Sequence, residues 1–135
     1  MTPLALAAAI AAQANVPQSS IDGLWRSPGG NSIISIASCG SNKCGTVAWA
    51  SEKAKKDSAK TTSNLVGTQL LTGLQQDSKG HWLGKLFIPD KNMRVTAKIQ
   101  LVSPQQLRVS GCAAGKALCK AALWSRTAEP FPGSQ

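Results

Sequence analysis

Four cysteines, one histidine and six carboxylates are the residues of this 135-residue chain whose chemistry could reach beyond packing. The cysteines fall as two close pairs, Cys39/Cys44 and Cys112/Cys119, each able to bracket a turn. Four cysteines allow three connectivities, and proximity favours pairing each within its own turn. A four-thiolate zinc site is the competing reading, but neither spacing is the tight C-x2-C that such sites prefer. Rings this short stabilise by on the order of 2–2.5 kcal/mol each through chain entropy, and chiefly fix strand register. With all four bridged, no thiolate is left as a nucleophile. His81, beside Gly80, reads as a surface residue at a turn and not as a general base. Asp22, Glu52, Asp57, Asp77, Asp90 and Glu129 are scattered over turns, loops and termini, with no pair set by spacing. No G-x-S-x-G, phosphate-binding loop or metal-ligand cluster is present. The expectation is a non-enzymatic protein with no catalytic residues, no metal site and no cofactor.

Charge is the stronger signal. Lys and Arg number 15 against 6 acids, a net charge of +9, which draws the chain toward polyanions. Residues 51–64, SEKAKKDSAKTTSN, concentrate Lys53, Lys55, Lys56 and Lys60 with no apolar residue larger than alanine. The segment reads as a solvated loop or a frayed helical turn. It either solubilises the protein or forms a landing patch for an anionic surface.

The first fourteen residues, MTPLALAAAIAAQA, carry no charge and end in a small-x-small pattern resembling a signal-peptidase site. Their apolar run of about ten residues suits a signal peptide and falls short of the roughly 20 that span a bilayer. The basic residue that ordinarily precedes such a run is missing, as it would be if the natural start lay upstream. We expect residues 1–14 to be a signal peptide and residues 15–135 to be one exported domain, with its core at about 21–126. A periplasmic or secreted address agrees with paired cysteines and places nucleic acid out of reach. No transmembrane segment is expected in the mature chain.

The elements that must position these residues are short strands. Gly23–Arg26 opens the series, and Ser27-Pro28-Gly29-Gly30 turns it. Residues 31–37 and 45–50 follow, with Ile34 and Ile36 on one face of the former and Val47 and Trp49 on one face of the latter. Residues 65–74, LVGTQLLTGL, read equally as a strand or as a loop over the core. Residues 81–88 place Trp82, Gly84, Leu86 and Ile88 on one side. The clearest alternation is at 93–101, where Met93, Val95, Ala97, Ile99 and Leu101 oppose Arg94, Thr96, Lys98 and Gln100, the pattern of a half-buried antiparallel strand. Residues 106–111 turn Leu107 and Val109 inward, residues 118–126 close the series, and a polar, proline-bearing tail follows. About seven or eight such strands at ten-residue spacing call for a closed barrel or a sandwich. In a barrel, Gly23 and Trp25 of the first strand meet Trp124 and Arg126 of the last, with Trp25 across the floor and Arg126 stacked on its face.

The run DGLWRSPGGNSIISIASCGSNKCGTVAW, then HWLGKLFIPD, then LRVSGC…C…LWSR, resembles a bacterial exported family, domain-of-unknown-function family 2147. The resemblance covers about residues 21–126. Its most specific parts are the G-x-W opening, the C-x4-C turn followed by G-x-x-x-W, and the closing W-x-R. It implies an all-β fold: a small antiparallel up-and-down β-barrel, lipocalin-like, of about eight strands. It implies no particular activity. Where the family often has an aromatic followed by Asp-Pro, this chain reads Phe87-Ile88-Pro89, and Val95 stands where a tyrosine is usual.

An eight-stranded barrel is just wide enough to be filled by side chains or to hold one small ligand. Candidate lining residues are Ile34, Ile36, Val47, Trp49, Trp82, Leu86, Val95, Ala97, Ile99 and Leu101. Gly84 and Ala97 leave room, the tryptophans fill it, and a dry core is the plain alternative. Two functions follow. One is a binding module for a small apolar or amphipathic molecule. The other is an envelope-associated structural or interaction protein that sits on anionic surfaces through Lys53–Lys60. An enzyme of unfamiliar type would require polar groups converging at one barrel mouth.

Overall fold

The computed structural model describes residues 20–113 and 118–128. The expected signal segment, most of the C-terminal tail and the centre of the last hairpin lie outside them. Eight antiparallel strands, each hydrogen-bonded to the next in sequence, close into an up-and-down barrel when the last pairs with the first. They are β1 (Gly23–Arg26), β2 (Ser32–Cys39), β3 (Asn42–Ala50), β4 (Gln69–Gln76), β5 (Trp82–Ile88), β6 (Met93–Ser103), β7 (Gln106–Ala113) and β8 (Leu118–Thr127). A 3-10 turn at Pro28–Gly30 joins β1 to β2, and helix α1 (Glu52–Asp57) lies between β3 and β4.

Helix α1 begins where Ser51 Oγ accepts the amide of Ala54, an N-cap that makes the first half of the basic segment a short helix and leaves Lys60 in the turn that follows. The ambiguous run at 65–74 becomes β4, and its obscured pattern has a cause. Leu71 and Leu74 are both wholly buried although three residues apart, because the pairing with β5 slips between Thr72 and Gln75. An extra residue at such a bulge changes which face the following side chain meets.

A second bulge overturns one expectation. Ile34 pairs with Val47 but Ile33 pairs with Trp49, so Ala48 is the extra residue. Val47 therefore points into the barrel, while Trp49 lies opposite Ile33 on the outer face. Trp49 does not line the interior. Gly84 likewise leaves no interior space: a Cβ there would come within 2.5 Å of the Thr72 carbonyl oxygen, so this glycine admits the backbone of β4.

Alternate connections of an up-and-down barrel share an end. One end carries the start of β1, the turns β2–β3, β4–β5 and β6–β7, and the end of β8. The opposite end carries the 3-10 turn, α1, the β5–β6 turn and the β7–β8 hairpin. The core, with Trp25, Ile34, Ile36, Leu71, Leu74, Ile99 and Leu107 almost fully sequestered, fills the barrel from the first end. Both cysteine pairs are disulfides, with Cα–Cα distances of 5.9 Å for Cys39–Cys44 and 4.1 Å for Cys112–Cys119. Cys112 and Cys119 face each other directly across β7–β8, so that bridge pins the hairpin in register.

Candidate functional site

The first end is sealed by chain that precedes β1. The guanidinium of Arg126 stands 4.3 Å from the ring centroid of Trp25, a cation–π contact. It also donates to the carbonyls of Ser20 (2.7 Å), Asp22 (2.9 Å) and Pro104 (2.7 Å). Trp25 Nε1 donates to the carbonyl of Ile21 at 2.8 Å, so three consecutive carbonyls are tied beneath the barrel. Partial burial pushes the Arg126 guanidinium below its ordinary value. Gly23 has φ +130°, and a Cβ there would lie 2.9 Å from Arg126 Nη1, which is why glycine stands beside the arginine. Trp124 is buried between this floor and the space above it, opposite Leu107. Outside the seal, Lys43 Nζ meets Asp22 Oδ1 at 2.6 Å and stands 5.3 Å from the centroid of Trp82.

The opposite end is open on one side. A cavity of about 480 Å³ lies between β5, β6, β7 and β8, within the roughly 300–1,000 Å³ of small-molecule pockets. Leu86 and Ile88 of β5 and Met93 and Val95 of β6 form one wall. Val109, Gly111 and Ala113 of β7, with Ala122 and Trp124 of β8, form the other. The space lies where β7 and β8 present the short side chains of Ala113 and Ala122, in contrast to the leucines and isoleucines of the packed half. A Cβ on Gly111 would lie 2.9 Å from Val95 Cγ2, so this glycine admits the Val95 side chain against β7 at the cavity wall. Two charged residues also border the cavity, Lys91 in the β5–β6 turn and Lys120 on β8. Lys120 alternates in phase with Ala122 and Trp124, which puts it on the inward face at the rim.

Of the expected lining residues, only Leu86 and Val95 border this cavity. Ile34, Ile36, Val47, Ala97 and Ile99 are packed into the core, and Trp82 and Leu101 pack against it from near the sealed end. Met93, Gly111, Ala113, Lys120, Ala122 and Trp124 were not among those candidates. The signal that could have found them is the small-residue alternation of Gly111, Ala113 and Ala122, extended at period two to Trp124.

The basic helix sits on the same rim. Lys53 donates to Asp57 at 2.8 Å and Lys55 to Glu52 at 3.3 Å, so half of the four lysines are neutralised locally. The hydrogen bond and charge of Asp57 hold Lys53 above its ordinary value, with a smaller contribution from Asp90. Lys56 and Lys60 are exposed and form no ion pair among the described residues. Ala54 and Ser58 of this segment, with Leu65, Leu70 and Asp90, border a smaller space of about 200 Å³.

His81 lies in the β4–β5 turn at the sealed end, its Nδ1 3.9 Å from Asp77 Oδ2. Among the described residues no group of three or more His, Cys, Asp or Glu converges, and no helix is long and apolar enough to cross a membrane.

A family described as uncharacterized protein conserved in bacteria (DUF2147) matches residues 23–126. The chain belongs to that family. No curated protein matches the chain, and no solved structure does. Ile88 and Val95 both border the cavity, whose β5–β6 wall they keep apolar.

Proposed function

We propose that this DUF2147 protein is an exported, non-enzymatic, lipocalin-like binding module that holds a small apolar or amphipathic molecule in the β5–β8 half of its barrel. The observation that carries this reading is the 480 Å³ cavity, walled by apolar side chains and open at the end opposite the Arg126–Trp25 seal. A barrel meant only as a packed scaffold gains from filling such a space, since each unfilled methyl-sized void costs about 1 kcal/mol. Lys91 and Lys120 are the only ionisable side chains bordering the cavity among the described residues, which supports a binder over a catalyst. Two disulfides support an oxidising compartment such as the periplasm. Attachment to anionic surfaces through Lys53, Lys55, Lys56 and Lys60 has less support, because two of those lysines are already paired within α1.

Native mass spectrometry of protein purified from its own host tests the proposal. The expected result is a co-purified organic molecule on the wild type and its loss from Ala122→Phe, which fills the cavity. Ligand-free wild type, together with a melting temperature unmoved by apolar and amphipathic molecules, would contradict it.

A further inference from the structure

Resting on that binding reading, we infer that the molecule held is a single-chain anionic amphiphile, its headgroup set between Lys91 and Lys120 at the rim and its tail laid down β8 toward Trp124. The cavity wall is apolar from Trp124 up to Ala113, and charge enters it only at the mouth. Both charges there are positive. Neither lysine is in an ion pair among the described residues. The nearest carboxylate in sequence, Asp90, lies beside Lys91 but borders the separate space beneath α1, where it acts on Lys53. Lys56 and Lys60 add uncompensated charge across the same rim.

Depth agrees with a chain-like ligand. From Lys120 to Trp124 the strand advances four residues, about 13 Å at the rise of an extended strand. A neutral apolar ligand would leave both lysines at the mouth without a counter-charge, and a cationic one would meet repulsion from four lysines. An anionic head with one tail answers both parts of the site. Carboxylate and phosphate headgroups share this chemistry, so a free fatty acid and a lysophospholipid-type phosphate are its two sources.

The test is titration calorimetry with four ligands of one chain length, below their micelle concentrations: dodecanoate, dodecyl phosphate, dodecanol and dodecyltrimethylammonium. The wild type is compared with Lys91→Gln/Lys120→Gln, whose sites are exposed and leave the fold intact, and with Ala122→Phe. The expected result is that an anion binds roughly tenfold tighter than the alcohol. The double variant erases that difference without weakening the alcohol, and Ala122→Phe weakens all ligands. Whether dodecanoate or dodecyl phosphate binds tighter identifies the headgroup, and either supports the inference. Equal affinity for alcohol and anions, or tighter binding of the cation, overturns the inference while leaving a binding module intact. Binding by none of the four overturns both.

Discussion

The arginine at the end of β8 does three jobs with one fork of donors: it stacks on Trp25, ties down the lead-in at Ser20 and Asp22, and reaches the β6–β7 turn at Pro104. Replacing it with alanine removes the cation–π contact and leaves carbonyls unpaired, at a cost of about 2–4 kcal/mol in denaturant unfolding. Arg126→Lys recovers little of this, since a point charge with one flexible head does not span three acceptors. Gly23→Ala costs about 1–3 kcal/mol through its positive φ and its approach to Arg126. Because the two residues touch, the double variant Gly23→Ala/Arg126→Ala is expected to cost less than the sum of the singles. Strict additivity would mean that the steric account of Gly23 is wrong. At the same scale, Asp77 Oδ1 accepts the amides of Lys79 and His81, both at 2.9 Å. Burial alone would raise this carboxyl, but those amides outweigh it and hold it below the ordinary aspartate range. A carboxyl depressed by folding adds stability above its unfolded value of about 3.9, and that contribution is lost as pH falls further. The stability difference between wild type and Asp77→Ala is therefore constant near neutrality and shrinks below about pH 4. A difference that grows with acidity would reverse the sign argued here.

Among the elements, the two disulfides sit at opposite ends of the barrel, and the proposed binding role separates them. Cys39–Cys44 clamps the β2–β3 turn at the sealed end, while Cys112–Cys119 pins the β7–β8 hairpin that forms a cavity wall. Replacing either pair with serines removes about 2–2.5 kcal/mol of chain-entropy stabilisation. Only the Cys112→Ser/Cys119→Ser variant is expected to weaken ligand binding and to speed amide exchange along β7 and β8. Equal binding losses from both pairs would contradict that division. Strand order and closure were legible in the sequence because β6 alternates cleanly from Met93 to Leu101 and because Trp25 and Arg126 carry types suited to a seal. Position within the interior was less so. Alternation tells inside from outside but not top from bottom, so Ile34, Ile36, Val47, Ala97 and Ile99 read as lining although they fill the packed half. Bulges hid more: the extra Ala48 sends Trp49 outward, and the slip after Thr72 masks β4 as a strand. The cavity wall was overlooked because its signature is small side chains, and glycine and alanine add no hydrophobic signal to a strand pattern.

For the whole molecule, the barrel divides into a packed half sealed at the Arg126–Trp25 floor and a half left open between β5 and β8. The chain carries a net charge of +9, and among the described residues lysines without an ion pair stand on the rim of that opening from the α1 segment, the β5–β6 turn and β8. A ligand bound as proposed would stabilise the fold by mass action, by about 2.7 kcal/mol at a hundredfold excess over Kd. The melting temperature should accordingly rise with ligand concentration in the wild type and stay flat in Ala122→Phe. The most direct measurement of the central claim is an amide NMR titration of the wild type with dodecanoate. Saturable shifts are expected at Gly111, Ala113, Lys120 and Ala122, with Ile36, Leu74 and Trp25 in the packed half unmoved. Shifts confined to α1 and the outer faces of the strands, or none at all, would contradict it.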